Sequence, residues 1–303
     1  MQKIRFMGAL SAFLSFNMAF AAVQSKVNIK ADSWLEYHQV APGDQGDFAM
    51  GSVVSTGHIK NLARNYDSDK FLISFDDGYR SVFDYAYPIL KAAKIPALVS
   101  IIRGTIRGSG LPEDKQTTMS ADEIYELYQQ GWGIAFHAHS AAEHNFNYKR
   151  FAEVLQYGIT KNADTELDIE NSQSRVQKLA RLTQFTSLAG VSNEELLDRL
   201  VKGRSDVLEL IKSDSDLNAE SSAIQVLSKI LYEEREELAL LVGTDLGDIT
   251  IFVYPHSESN KVLRAATKKA GFVRGVAGGP LGDSDDYFNY PRKWMNDATD
   301  LPL

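Results

Sequence analysis

Two acidic residues and three histidines are placed where chemistry is expected. Asp76 and Asp77 follow the apolar run Phe71-Leu72-Ile73-Ser74-Phe75 and precede Gly78-Tyr79. Adjacent carboxylates at the end of a buried strand are costly to desolvate unless a metal ion or an arginine pairs with them. Neighbouring side chains on a strand point opposite ways, but where the strand gives way to a loop, with Gly78 to permit the turn, both can reach one site. One would then bind a metal while the other takes a proton; the same dipeptide also suits an Asx turn capping a helix that begins near Arg80. The second cluster, His137-Ala138-His139-Ser140-Ala141-Ala142-Glu143-His144, holds half of the six histidines and again directly follows an apolar run. Imidazole is a common neutral metal ligand, and two histidines separated by a short loop or a helical turn can face one ion. Histidines on an exposed loop are the alternative. Taken together, one or two carboxylates and two imidazoles form a mixed N/O set that leaves one zinc position open for water, the arrangement of a catalytic site.

Composition narrows the options. The 303 residues contain no cysteine, which excludes disulfides, thiol nucleophiles and thiolate metal sites, so any metal must be held by His and carboxylate. Lys and Arg number 32 against 40 Asp and Glu, a net charge of −8 without a basic stripe, and nucleic acid is not expected as a partner. A hydrophobic content of 44% is enough for a sizeable core.

The elements that must position these residues are short apolar runs rich in β-branched and aromatic types: 34–38, 71–75, 97–102, 133–137, 249–253 and 272–277. They read as buried parallel strands, each followed by a helical pattern. Ser120-x-x-Glu123 is a capping box before Ile124, Leu127 and Tyr128, with Gly131 as the stop. Alternating strand and helix predicts an α/β protein with a parallel sheet, open or closed into a barrel, whose site lies at the carboxyl ends of the strands.

Residues 145–222 differ in texture: few strand-like runs, no Pro, and Leu196, Leu197, Leu200, Val201, Leu208 and Ile211 at helical spacing after a second capping box, Ser192-x-x-Glu195. They are expected to form a helical insertion between barrel parts at 22–144 and 223–303, with a surface for a protein partner. At the other end, Lys3 and Arg5 precede an apolar stretch from Phe6 to Phe20 and then Ala19-Phe20-Ala21, the pattern of a secretory signal cut near Ala21. Ser11, Ser15 and Asn17 interrupt that stretch, which falls short of the roughly 20 residues a span needs, so stable membrane insertion is not expected. Export to the periplasm or the outside follows, with a mature charge of −10 once Lys3 and Arg5 are removed.

The chain resembles the polysaccharide deacetylases that share the NodB-homology domain. Ser74-Phe75-Asp76-Asp77-Gly78-Tyr79 is similar to that family's first motif, and Tyr37-His38 to the opening strand of its poly-N-acetylglucosamine deacetylase-like branch. Phe252-Val253-Tyr254-Pro255-His256-Ser257 resembles the Tyr-Pro segment of that branch, and Tyr290-Pro291-Arg292 its closing Leu-Pro-Arg. The resemblance covers residues 34–144 and 249–294 and implies a distorted (β/α) barrel with fewer than eight units. It further implies that Asp76 is the catalytic base, that Arg292 holds it, and that Asp77 and two histidines carry a divalent metal, zinc or a similar ion. His139 with His144 reproduces the family's four-residue gap and is the preferred pair; His137 with His144 is the alternative.

Departures from the pattern leave the proton donor open. His256 stands where the family has Tyr, and its late Leu-x-His has no counterpart after Trp294, so His256 and His38 are the candidate donors. Trp132 and Trp294 are candidates for stacking on sugar rings, with core packing the alternative. The expected function is removal of N-acetyl groups from an N-acetylglucosamine polymer or another cell-envelope glycan. The alternatives are an O-acetyl polysaccharide esterase and a degenerate glycan-binding or export scaffold. A glycosidase using Asp76 and Asp77 is disfavoured, because consecutive residues would struggle to flank a glycosidic bond at about 5 Å or more.

Overall fold

The computed structural model describes residues 27–47, 52–108, 117–139, 148–149, 152–153, 219–278 and 286–297. Most of the expected insertion, the capping box at Ser192, the signal segment and His144 therefore lie outside the described residues. Nine strands occur among them: β1 (Ser33–Tyr37), β2 (Gln39–Ala41), β3 (Val53–Ser55), β4 (Phe71–Phe75), β5 (Leu98–Ile102), β6 (Gly133–Ala138), β7 (Ile251–Val253), β8 (Arg274–Val276) and β9 (Lys293–Trp294). Five α-helices accompany them: α1 (Thr56–Arg64), α2 (Tyr87–Ala92), α3 (Ala121–Gln129), α4 (Ala219–Val242) and α5 (Lys261–Lys269).

Seven strands form one sheet in the order β8-β7-β6-β5-β4-β1-β9, every neighbouring pair parallel. Each of the six strands expected from the apolar runs is present, with ends moved by one or two residues. The sheet is a distorted (β/α) barrel. Residues 287–295 span its seam: Ala277 N–H donates to the Tyr290 carbonyl and Gly275 N–H to that of Tyr287, while farther along Met295 N–H donates to the Glu36 carbonyl on β1. This short segment thus touches both edges of the sheet, which would otherwise expose unpaired backbone.

Local signals account for the elements. At the start of α3 the Ser120 hydroxyl accepts from Glu123 N–H and Ser120 N–H donates to the Glu123 carboxylate, so the capping box forms as its spacing predicts. Strand residues of one parity, among them Leu35, Tyr37, Ile73, Phe75, Val99, Ile134, Phe136 and Phe252, join the main core with the helices. Trp132 belongs to that core, stacked on Phe75 with ring centroids 6.0 Å apart, so core packing is its role. Residues of the other parity face the barrel interior, where Trp34, Leu72, Leu98, Ala135, Ile251, Val253 and Val276 make a second apolar cluster. Arg274 plugs its amino-terminal end, its guanidinium lying over the rings of Tyr290, Tyr287 and Trp34 at 4.4, 5.1 and 5.3 Å.

Candidate active site

Going toward the carboxyl ends of the strands, the interior rows change from apolar to polar. Trp34 gives way to Glu36 and His38, Leu72 to Ser74 and Asp76, Leu98 to Ser100, and Ala135 to His137. The period of two along each strand carries these residues onto one inner face.

Asp76 is at the centre, 2% exposed. Arg292, itself 3% exposed, donates from Nη1 to Asp76 Oδ1 and from Nη2 to Oδ2, both at 2.7 Å, and Ser100 Oγ donates to Oδ1 at 2.7 Å. Arg292 Nη1 also reaches Ser74 Oγ at 3.3 Å, and Ser74 is anchored to the Leu35 carbonyl. Burial alone would raise the Asp76 pKa, but the guanidinium charge and its bidentate hydrogen bonds prevail and hold the carboxyl well below the usual range. The acid is therefore ionised and fixed in direction. Its side chain is committed to Arg292 and Ser100 rather than to capping the turn at Arg80.

Asp77 has φ 69° and Gly78 φ 68°, two successive left-handed residues that turn the chain sharply at the end of β4. Asp tolerates this conformation better than most residues do. The turn sets Asp77 Oδ1 3.3 Å from His137 Nε2, while His137 Nδ1 lies 2.7 Å from the Val253 carbonyl. A carbonyl can only accept, so Nδ1 carries a hydrogen and a neutral His137 aims the Nε2 lone pair at a carboxylate oxygen. Two lone pairs at that distance call for a cation or a proton between them. Burial lowers the His137 pKa, yet the hydrogen bond to Asp77 and the charges of Asp76 and Asp77 outweigh it, and the net direction is upward. A histidine whose second nitrogen is fixed by a backbone carbonyl is also the usual form of a metal ligand. Asp77 and His137 fit a divalent ion on these grounds.

Glu36 is a third carboxylate on the inner face. Its Oε2 lies 3.4 Å from Arg292 Nη2, and burial outweighs that charge to raise its pKa. A Cβ placed on Gly278 would crowd Ser257 Oγ and fall 2.6 Å from Glu36 Oε2, so both groups converge on this glycine. Glu36, His38 and Asp76 each offer a ligand atom within 4.8 Å of the others. That trio also has the chemistry of a cation site, but the Arg292 guanidinium already occupies the position of positive charge between its carboxylates. The Asp77–His137 pair is the better metal position.

The remaining sequence candidates separate. His139 does not join Asp77: it lies just past β6, with Arg103 Nη2 3.0 Å from its Nε2 and Glu237 Oε2 on α4 3.6 Å from its Nδ1. The two histidines share a parity, but β6 ends at Ala138, so His137 is held on the strand's inward face while His139 lies beyond it. Of the two candidates for the first histidine, the preferred His139 and the alternative His137, it is His137 that stands beside Asp77, while His144, common to both pairings, lies outside the described residues. His38 follows β1 beside Asp76, its Nδ1 buried with no hydrogen-bond partner among the described residues. His256 is exposed on a left-handed turn after β7 (φ 54°), followed by Ser257 (φ 61°). Glu36 and Ser100 were not singled out from the sequence. The signal for both was a polar residue inside an apolar strand run, in phase with Trp34 and His38 or with Leu98.

The fold and these residues together define a distorted (β/α) barrel with an acid–histidine site at the carboxyl ends of its strands. A de-N-acetylase from Aggregatibacter actinomycetemcomitans superposes with TM-score 0.52 at 14% identity, covering 89% of this chain and 96% of the other. The BpsB deacetylase domain from Bordetella bronchiseptica superposes with TM-score 0.50 at 15% identity, covering 87% and 95%. At such identities the likeness establishes the fold. The family model for polysaccharide deacetylase matches residues 63–195 of the chain. Among curated proteins it is 28% identical, over 133 residues, to the poly-beta-1,6-N-acetyl-D-glucosamine N-deacetylase of Staphylococcus aureus strain MSSA476. That alignment covers 43% of this chain and 43% of the relative, so the chain spans less than half the length of the curated relatives it matches. No helix among the described residues is long and apolar enough to cross a membrane.

Proposed function

We propose that this protein is an exported, metal-dependent hydrolase that removes N-acetyl groups from an N-acetylglucosamine-containing polysaccharide. The observation that carries the reading is Asp76: a buried carboxylate held ionised by Arg292, directly beside a second acid that faces His137. The family match and the named relative support the glycan class.

Asp77 and His137, with His144 as the third ligand, would hold zinc or a similar ion, which when bound supplies polarisation of the acetyl carbonyl and a water of lowered pKa. Asp76 accepts the proton of the attacking water at its carboxylate, kept in register by Arg292 and Ser100. A base so strongly paired stays ionised across the neutral range and gains its effect from placement rather than from high basicity. The backbone N–H at the His256 turn is assigned to the developing oxyanion. As the C–N bond breaks, the amine nitrogen takes a proton and acetate departs. His38, next to Asp76 on the inner face, and His256, on the rim, are the donors assigned to that step.

The test is acetate release from β-1,6-linked N-acetylglucosamine oligomers by purified, zinc-supplied protein, compared with chitin-type oligomers and acetyl-xylan. Asp76→Asn should abolish release while retaining about one zinc per chain. Unchanged release in that variant would end the base assignment; preference for acetyl-xylan would point to an esterase, and glycan affinity with no turnover under any added metal to a binding protein. Export is read separately by sequencing the amino terminus of the mature protein, expected just after Ala21.

A further inference from the structure

Of the three tryptophans, Trp34 and Trp132 are 1% exposed, whereas Trp294 is 58% exposed. Trp294 is not on an arbitrary surface. Its Cα pairs in register with Glu36, whose own partner across the sheet is Ser74, and registered residues in parallel strands share a face. That face is the barrel interior, because Glu36 and Ser74 both reach Arg292 there. Arg292 precedes Trp294 by two residues on the same face and reaches forward to Ser74 and Asp76, so the Trp294 backbone lies level with Glu36 and Ser74, one inward position before Asp76. A large apolar ring on the inward face of an edge strand would be expected to fill the core. This one remains largely exposed, with its backbone paired to Glu36 of the candidate site.

We propose that the Trp294 indole is a stacking platform for a pyranose ring neighbouring the sugar that occupies the site, so that it selects polymer over monomer. The proposal rests on the glycan reading above. A flat, rigid aromatic face presented to solvent matches the apolar C–H face of a pyranose, and it holds that ring at little conformational cost. Trp294 makes contact with the carbohydrate chain and takes no part in the bond-breaking steps.

The buried state of the other two indoles provides a direct readout, since a water-soluble quencher such as acrylamide reaches chiefly Trp294. A β-1,6-linked pentamer of N-acetylglucosamine is expected to lower the quenching constant at least two-fold, and the monomer to leave it unchanged. Trp294→Ala should raise KM for the pentamer roughly ten-fold with kcat little altered, leave turnover of a small acetyl ester as it was, and Trp294→Phe should recover most of the loss. Pentamer binding, measured by calorimetry, with quenching unchanged overturns the platform, as does an unaltered pentamer KM in Trp294→Ala. Shielding of Trp294 without acetate release upholds the platform and overturns the deacetylase reading. Absence of any oligomer binding overturns both.

Discussion

Arg292→Met tests the electrostatic core of the site. The native guanidinium makes two 2.7 Å hydrogen bonds to Asp76, lies 3.4 Å from Glu36, and is 3% exposed. Methionine keeps much of the length and removes the guanidinium charge between two buried carboxylates. Breaking a buried pair by removing one partner costs roughly 3–5 kcal/mol, a large part of the roughly 5–15 kcal/mol that stabilises a typical domain. With a urea slope of about 2 kcal/mol per molar, the unfolding midpoint at pH 8 should fall by about 1.5–2.5 M. The loss should depend on pH in a defined direction. Without Arg292, burial raises the pKa of both acids, so the folded variant holds protons that the unfolded chain has released, and its stability rises as pH falls toward the ordinary carboxylate range. The deficit at pH 5 is therefore smaller than at pH 8. Adding Asp76→Asn should recover part of the stability, because one stranded charge is removed. Urea titrations followed by far-ultraviolet circular dichroism measure all three quantities. A deficit under about 1 kcal/mol at pH 8, or one equal at the two pH values, refutes the charge-balance argument.

Further outcomes follow from the same geometry. The raised pKa of Glu36 means that wild-type stability declines as pH rises from the ordinary glutamate range through the folded-state value; Glu36→Gln should remove this and gain on the wild type with rising pH, as read from urea midpoints at pH 5, 6.5 and 8. If the wild type gains instead, Glu36 is not a proton-holding group. His137→Ala should weaken zinc retention roughly ten-fold or more on dialysis while His139→Ala retains it, since of these two His137 is the one beside Asp77; the reverse order would reject the ligand assignment. Gly278→Ala forces a methyl into Ser257 Oγ and Glu36 Oε2 and should cost about 1–3 kcal/mol in thermal unfolding, with partial relief from an added Ser257→Ala. A neutral Gly278→Ala would show that the contact is loose.

Much of the barrel was legible because buried parallel strands leave a direct mark, an apolar run bounded by turn residues. Phe71–Phe75 stands where its run predicts, and the Ser120–Glu123 capping box forms. Strand β9 was not readable: two residues, Lys293 and Trp294, have no periodicity, and they become a strand only because β1 offers an unpaired edge. The three-residue strands β2 and β3, which pair with each other in a separate sheet, are likewise too short to carry a periodicity. Within the site, Asp76, Asp77 and Arg292 were named from the sequence. Glu36 passed unnoticed because one acid inside Ser33–Tyr37 resembles a solvent-facing position until the strand is known to be enclosed on both sides.

The sequence by itself determined the chemical inventory: no thiol, a pair of acids after a strand, histidines after another, and the alternation that places both at strand ends. These depend on local order, and local order is what a chain carries before it folds. Tertiary structure decided which of these groups meet. Arg292 is 216 residues from Asp76 along the chain and 2.7 Å away in space. His137 rather than His139 faces Asp77 because β6 ends at Ala138 and His139 lies beyond it, and Trp294 stands beside Glu36 because β9 pairs in register with β1. Distances of this kind are set by strand register and by closure of the seam, which are properties of the whole sheet.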